Sequence, residues 1–131
     1  MIFLDTSYIL GLLLENDSYH NISRNIESLL ADEKKMINIT VIQEVLNSLN
    51  NVNYHDDISL VVDILFSLDR MEYLSEKDYS EAIDLFKYYN KSINFSDCTI
   101  LQSMQKNNVT NIVSFDSDFD KISGISRLSG F

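Results

Sequence analysis

Four acidic residues in this sequence lie where their carboxylates could meet and bind a cation. Asp5 and Asp116 each follow a short apolar segment, whereas Glu44 and Asp97 each lie near the expected start of a helix. In a parallel α/β sheet, the carboxyl ends of the strands and the starts of the helices share one edge. The sequence therefore predicts that four carboxylates from distant parts of the chain converge on one pocket.

Such a cluster favours a particular chemistry. Neighbouring carboxylates repel one another and raise one another's pKa, so the cluster is costly without a positive charge. Mg²⁺ or Mn²⁺, which prefer oxygen ligands, fit better than zinc, since His20, His55 and Cys98 have no zinc-site spacing. Two such ions about 4 Å apart can activate water and stabilise the leaving oxygen in phosphodiester hydrolysis. The acids therefore indicate a metal-dependent nuclease.

Each acid also has a simpler explanation. Glu44, Asp97 and Asp116 could merely stabilise the positive ends of helices. Asp5 is harder to explain in this way, because it adjoins Phe3 and Leu4, where an unpartnered acid would be costly. Four acids at one sheet edge favour a metal site over four separate helix contacts.

The elements that would position these acids alternate along the chain. Short apolar runs predict strands at residues 1–4, 36–39, 71–74, 112–115 and 125–128, and apolar periodicity predicts the intervening helices, among them 19–31, 56–68 and 96–106. This alternation predicts an α/β fold, a single domain over residues 1–131 with a mainly parallel central sheet of about four to five strands flanked by helices.

Hydroxyl residues are the expected helix caps. Thr40 with Gln43, and Ser75 with Asp78, have the three-residue spacing of a capping box or a close variant of it. The sequence predicts caps at these positions: Thr6 or Ser7, Thr40, Ser75 and Ser96. The predicted helix at 56–68 carries an apolar stripe that we expect to pack on neighbouring helices. The stripe comprises Leu60, Val61, Ile64, Leu65 and Leu68.

Composition narrows the choice of function. The chain has 10 basic and 20 acidic residues, a net charge of −10, which argues against nucleic-acid binding through a broad basic surface. Its single cysteine, Cys98, excludes an internal disulfide and fits a reducing compartment. The first residues lack a signal-peptide pattern, and no apolar run is long enough to span a membrane. We expect a soluble, cytoplasmic protein without membrane contact.

Four segments of the sequence, taken in order, resemble the motifs of a known family. Residues 1–7, 40–45, 95–101 and 112–119 resemble the four motifs of PIN-domain ribonucleases, especially the VapC-type toxins of toxin–antitoxin pairs. The resemblance spans nearly the whole chain. It implies a metal-dependent endoribonuclease acting on RNA, with Mg²⁺ or Mn²⁺ held by Asp5, Glu44, Asp97 and Asp116.

The same resemblance implies supporting residues and partners. Thr6 and Ser114 would hydrogen-bond the carboxylates or water, and either Asp118 or Asp120 could join the site through water, although Asp120 could instead cap the last turn. The implied partners are RNA, a second copy of the chain in a homodimer, and an antitoxin that places a basic side chain in the acidic site. Candidates for phosphate contact are Lys91, Lys121 and Arg127.

Several alternatives stay open or fall short. A housekeeping RNA-processing PIN nuclease and a catalytically inactive PIN-like binding module both fit the same motifs. The exposed apolar stripes between residues 56 and 89 suit a dimer, an antitoxin groove or simply a core.

A receiver-type phosphorylation switch and a haloacid-dehalogenase-type phosphatase both fall short. The first would need paired acids after the first strand, and the second would need an acid where Ser7 stands.

Overall fold

The central feature of the fold is a five-stranded parallel sheet covered by six α-helices. The computed structural model describes residues 1–52 and 54–130, so Asn53, at the expected end of one helix, lies outside the described residues. The elements in chain order are β1 (Ile2–Leu4), α1 (Thr6–Leu13), α2 (His20–Leu29), β2 (Lys35–Asn38), α3 (Ile39–Asn51), α4 (Ile58–Phe66), β3 (Arg70–Glu72), α5 (Glu76–Tyr88), α6 (Phe95–Lys106), β4 (Asn111–Val113), a 3-10 helix (Ser117–Lys121) and β5 (Ser126–Leu128).

The first strand lies at the centre of the sheet. The strand order is β3-β2-β1-β4-β5, and all neighbours pair in parallel. Phe3 pairs with Met36 on one side and with Ile112 on the other, and all three side chains are buried. An apolar run without alternation suits a strand covered on both faces. The predicted α/β fold with a mainly parallel sheet is therefore confirmed.

Helix α6 is the most deeply buried helix among those described. Every residue from Asp97 to Met104 is buried, and the helix packs mainly against α5. Because α6 is held on all sides, the residues in its first turn have fixed positions. Asp97 is one of these residues.

The predicted caps of α3 and α6 are wrong. The side chain of Asn38 caps α3 by accepting a hydrogen bond from Val41 N (3.2 Å), and Asn94 caps α6 by accepting one from Asp97 N (2.9 Å). Thr40 and Ser96 therefore lie inside their helices. Asparagine is as good a cap as serine or threonine, and Asn38 is further held by its bonds to α6.

Ser75 caps α5 as predicted. Its hydroxyl accepts a hydrogen bond from Asp78 N, while the Asp78 carboxylate accepts one from Ser75 N, which completes a capping box. At α1, the capping prediction for Thr6 and Ser7 is wrong. Asp5 occupies the cap position, but its side chain makes no capping hydrogen bond. The hydroxyls of Thr6 and Ser7 instead donate to the carboxylates of Glu44 and Asp5.

The apolar stripe of α4 is buried only in part. Val61 and Leu65 lie in the core, whereas Leu60 is 57% exposed and Ile64 is 51% exposed. The prediction that the whole stripe packs on neighbouring helices is therefore wrong for these two residues, since α4 contacts the core along a narrow face. No helix in residues 1–52 and 54–130 has the length and apolarity needed to cross a membrane.

Candidate metal centre

Two acidic residues lie at the same edge of the sheet because their strands are neighbours. Asp5 directly follows β1, and its backbone N–H donates a hydrogen bond of 3.0 Å to the carbonyl of Val113, the last residue of β4. Asp116 lies three residues beyond Val113. The parallel pairing of β1 with β4 thus brings together two residues that are far apart in the sequence.

Asp97 reaches this edge from the start of α6. One carboxylate oxygen each from Asp97, Asp116 and Asp118 lies within 4.8 Å of the other two. Asp97 is buried, and its Oδ2 has no hydrogen-bond partner among the described residues. A buried carboxylate oxygen without a donor is costly, so this atom is the least satisfied acceptor of the cluster.

The electrostatics of Asp97 follow from this burial. Desolvation raises the pKa of Asp97 to about 8, and the nearby charges of Asp5, Asp116 and Glu44 act in the same direction. Burial also raises the pKa of Asp5, although hydrogen bonds from Ser114 and Ser7 oppose the effect. The side chains of Asp5, Glu44, Asp97 and Asp116 therefore form one coupled group, which we call the carboxylate site.

Glu44 enters the carboxylate site from α3. Thr6, in the first turn of α1, donates a hydrogen bond of 3.0 Å to Oε1 of Glu44. Burial raises the pKa of Glu44, while the Thr6 bond lowers it and the charge of Asp5 raises it further. The half-buried Glu44 is thus held beside Asp5 by a residue adjacent to Asp5 in the sequence.

Two serines fix the position of Asp5. The Ser114 hydroxyl donates a 2.6 Å hydrogen bond to Asp5 Oδ2 and accepts a 3.0 Å bond from Asp116 N. Ser7 donates to the same Asp5 oxygen at 3.1 Å and accepts a bond from Phe115 N. From the sequence we expected Ser7 only as a helix cap. Its position two residues after Asp5 could have indicated the hydrogen bond between the two side chains.

The remaining candidates are arranged differently. Asp118 lies with Asp97 and Asp116 but also pairs with Lys121 at 2.8 Å. Asp120 binds Arg127 through both carboxylate oxygens, and the cap of the 3-10 helix is Asp116.

The three basic residues suggested for phosphate contact are not equivalent. Lys121 and Arg127 are already paired with acids, and Arg127 also donates to the carbonyl of Ser114. Lys91 is exposed and lies in a loop with a positive backbone φ of 66°. Positive charge close to the carboxylate site is therefore largely committed to internal pairs.

A divalent cation fits this arrangement. Three carboxylate oxygens, one each from Asp97, Asp116 and Asp118, lie close enough together to share one ion. Asp97 also has a buried oxygen without a partner among the described residues. All of these donors are oxygens, which suits Mg²⁺ or Mn²⁺. Burial and the neighbouring acids raise the pKa of Asp97, and a bound cation would offset both effects.

Comparison with known proteins gives a family match. The model of the PIN domain family matches residues 2–125. No curated protein shows a significant match to the sequence.

Solved structures show the same fold at low sequence identity. The VapC20 toxin of Mycobacterium tuberculosis, described as cleaving the sarcin–ricin loop, is 22% identical with a TM-score of 0.81, over 92% of this chain and 94% of that one. VapBC2 of Rickettsia felis, bound to a promoter DNA fragment, is 18% identical with a TM-score of 0.73, over 98% of each chain. A toxin–antitoxin complex of Klebsiella pneumoniae is 16% identical with a TM-score of 0.73, over 100% of this chain and 98% of that one.

Proposed function

This chain belongs to the PIN domain family, and on that basis we propose that it is a divalent-metal-dependent endoribonuclease, the toxin of a toxin–antitoxin pair. Its substrate is single-stranded or structured RNA, and its reaction is hydrolysis of a phosphodiester bond. The observation that carries the proposal is the buried Oδ2 of Asp97, a member of the carboxylate site, because no described residue donates a hydrogen bond to it. The proposal places the protein in the cytoplasm, where its RNA substrate is found.

The four members of the carboxylate site would hold Mg²⁺ or Mn²⁺, with Asp118 close enough to take part. When bound, such an ion supplies positive charge and Lewis acidity at the scissile phosphate. The protein's own contribution is to hold its acids in place. Ser114 and Ser7 orient Asp5, and Thr6 orients Glu44. Orientation of ligands by such hydrogen bonds is commonly as important as the ligands themselves.

The test is cleavage of a single-stranded RNA with Mg²⁺, with Mn²⁺ and with EDTA. We expect cleavage only with metal, and we expect Asp5→Asn to abolish it. Asp84→Asn is the matched control, because Asp84 is an exposed acid on α5. If metal neither binds nor supports cleavage while a protein partner still binds, the chain is an inactive binding module and the proposal fails.

Toxin and housekeeping roles are distinguished by expression in a bacterial host. A toxin arrests growth when it is produced alone, whereas the Asp5→Asn variant does not. A wild-type chain that cleaves RNA in solution yet leaves growth unchanged would instead support an RNA-processing role.

An antitoxin is part of the proposal, and an apolar groove supports it. The groove has a volume of about 300 Å³, lies between α1 and α4, and is lined by Leu12, Leu13 and Ile64 among others. An amphipathic helix can place its apolar face in such a groove, and the net charge of −10 favours a basic partner. Co-purification with the product of an adjacent short gene, weakened by Ile64→Lys, would support this assignment. Unchanged co-purification of the variant would oppose it.

We propose that the homodimer forms through α5. Tyr79 is 40% exposed and Ile83 is 44% exposed, and they lie one turn apart on the same helix face. We expect sedimentation to show a dimer that Ile83→Lys converts to a monomer. A wild-type monomer at all concentrations would contradict this assignment without affecting the nuclease proposal.

A further inference from the structure

An aromatic pair lies beside the carboxylate site. The rings of Tyr19 and Phe115 are stacked with their centroids 4.2 Å apart and their planes inclined by 6°. Phe115 stands between Ser114 and Asp116 in the chain, and Tyr19 directly precedes α2. We call these two residues the aromatic platform. The platform brings a flat apolar surface next to the acids.

The aromatic platform is open to solvent. Tyr19 is 39% exposed although Phe115 covers one face of its ring, whereas the nearby Phe119 is only 1% exposed. An aromatic ring that served only to fill the core would be buried as Phe119 is. Tyr19 is therefore partly accessible to a ligand.

Hydrogen bonds hold the aromatic platform in a fixed relation to the acids. The backbone N–H of Phe115 donates to the Ser7 hydroxyl at 3.0 Å, and that hydroxyl donates to Asp5 Oδ2 at 3.1 Å. On the other side, Tyr19 N donates to Asp17 Oδ1 at 2.8 Å. A ligand stacked on Tyr19 would therefore have a defined position relative to Asp5.

The charge of the chain favours an uncharged contact with RNA. The net charge is −10, and Lys121 and Arg127 are already paired with acids. Phosphate contacts near the site can therefore supply little of the affinity for a polyanion. Stacking of a base on an aromatic ring does not depend on charge, and it commonly contributes roughly 5- to 150-fold in affinity per base.

Building on the proposed ribonuclease function, we propose that Tyr19, backed by Phe115, is the surface on which one base of a single-stranded RNA stacks next to the phosphodiester that is cleaved. Aromatic rings recognise unpaired bases, whereas a base inside a duplex has no free face. The aromatic platform would thus favour single-stranded or flipped-out nucleotides. It would also set the distance between the stacked base and the cleaved bond.

The first experiment measures binding and stacking in an inactive background. An eight-nucleotide single-stranded RNA containing one 2-aminopurine is titrated with full-length Asp5→Asn protein in Mg²⁺. We expect quenching of the 2-aminopurine fluorescence. Adding Tyr19→Leu should remove the quenching and weaken affinity roughly tenfold, whereas Tyr19→Phe should preserve both. Tyr73→Leu is the matched control, because Tyr73 is 63% exposed and follows β3 at the far edge of the sheet.

A second measurement does not depend on the folding of a variant. Single-stranded RNA carrying 5-iodouridine is photocrosslinked to the wild-type chain, and the modified peptide is identified by mass spectrometry. Crosslinks at Tyr19 or Phe115 support the inference, and crosslinks confined to other residues overturn it.

The failure of this inference and the failure of the proposed function are distinguishable. If the wild-type chain cleaves RNA with metal while Tyr19→Leu retains its affinity and quenching, only the stacking inference is wrong. If the wild-type chain cleaves no RNA with either metal, the nuclease proposal is wrong and the stacking inference falls with it.

Discussion

Ser114 donates a 2.6 Å hydrogen bond to Asp5, although 109 positions separate the two residues in the chain. The same hydroxyl accepts a bond from Asp116 N, so one serine connects two members of the carboxylate site. The bond is buried, which shields it from competing water. Its removal should therefore disturb the site more than the loss of one exposed hydroxyl would.

We expect Ser114→Ala to lower metal affinity and RNA cleavage by roughly 10- to 100-fold, as commonly observed when a ligand loses its orienting partner. Titration of Mn²⁺ and cleavage rates at saturating metal provide the measurement. Ser80→Ala, at an exposed position on α5, is the control and should leave both unchanged. Wild-type metal affinity in the Ser114 variant would show that Asp5 does not need this bond.

The metal-free protein should lose stability as the pH rises from about 4 to about 8. The pKa of Asp97 is about 8 in the folded chain against an ordinary value of 3.8, so the folded state holds this proton more strongly than the unfolded state does. The stabilisation is complete below the ordinary pKa and is lost as the pH approaches the folded pKa. Thermal unfolding in EDTA across this range tests the prediction. A midpoint that rises with pH would contradict it.

Asp97→Asn should raise the thermal midpoint of the metal-free protein at pH 7.5 by about 4 °C or more, since a domain of this size gains about 4 °C per kcal/mol. The substitution removes an acid whose ionisation is opposed by burial and by its neighbours. The same variant should lose the stabilisation that Mg²⁺ or Mn²⁺ gives to the wild type. Asp84→Asn should change neither midpoint. A destabilised Asp97→Asn protein would show that the acid contributes to folding without a cation.

Asp78→Ala should destabilise the fold by about 2 kcal/mol, because it removes a capping box and one buried acceptor of the hydrogen bonds from Gln102 and Lys106. Asp78 accepts hydrogen bonds from Ser75 N, Gln102 and Lys106, and the Ser75 bond is the largest cause of its pKa of about 2. Urea unfolding at pH 7 is the measurement. Asp84→Ala on the same helix should lower the free energy of unfolding far less. Equal losses in the two variants would show that the hydrogen bonds of Asp78 do not stabilise the fold.

The sequence predicted the carboxylate site better than it predicted the helix starts. Strand ends and helix starts must meet at one edge of a parallel sheet, so the neighbourhood of Asp5 and Asp116 followed from topology alone. Asn38 and Asn94 were missed as caps, since Thr40 and Ser96 are equally acceptable by local preference. At α3 the choice of cap is determined by hydrogen bonds from the Asn38 amide to Thr99 and Ser103 of α6. Local sequence does not show these bonds.

Two further features were beyond local patterns. The stacking of Tyr19 on Phe115 joins residues 96 positions apart and depends on the packing of distant segments of the chain. The half-exposed stripe of α4 looks the same in sequence as a fully buried one, because periodicity gives the direction of a face but not its depth. These two features can be recognised only in the three-dimensional structure.

The position of β1 at the centre of the sheet determines when the carboxylate site can assemble during synthesis. Strand β1 pairs with β4, which is synthesised more than one hundred residues later. Asp5 therefore obtains the Ser114 bond only after the intervening segment has emerged. A nascent or prematurely terminated chain that ends before residue 111 has no assembled carboxylate site, so any activity of that site is withheld until β4 and Asp116 have been synthesised.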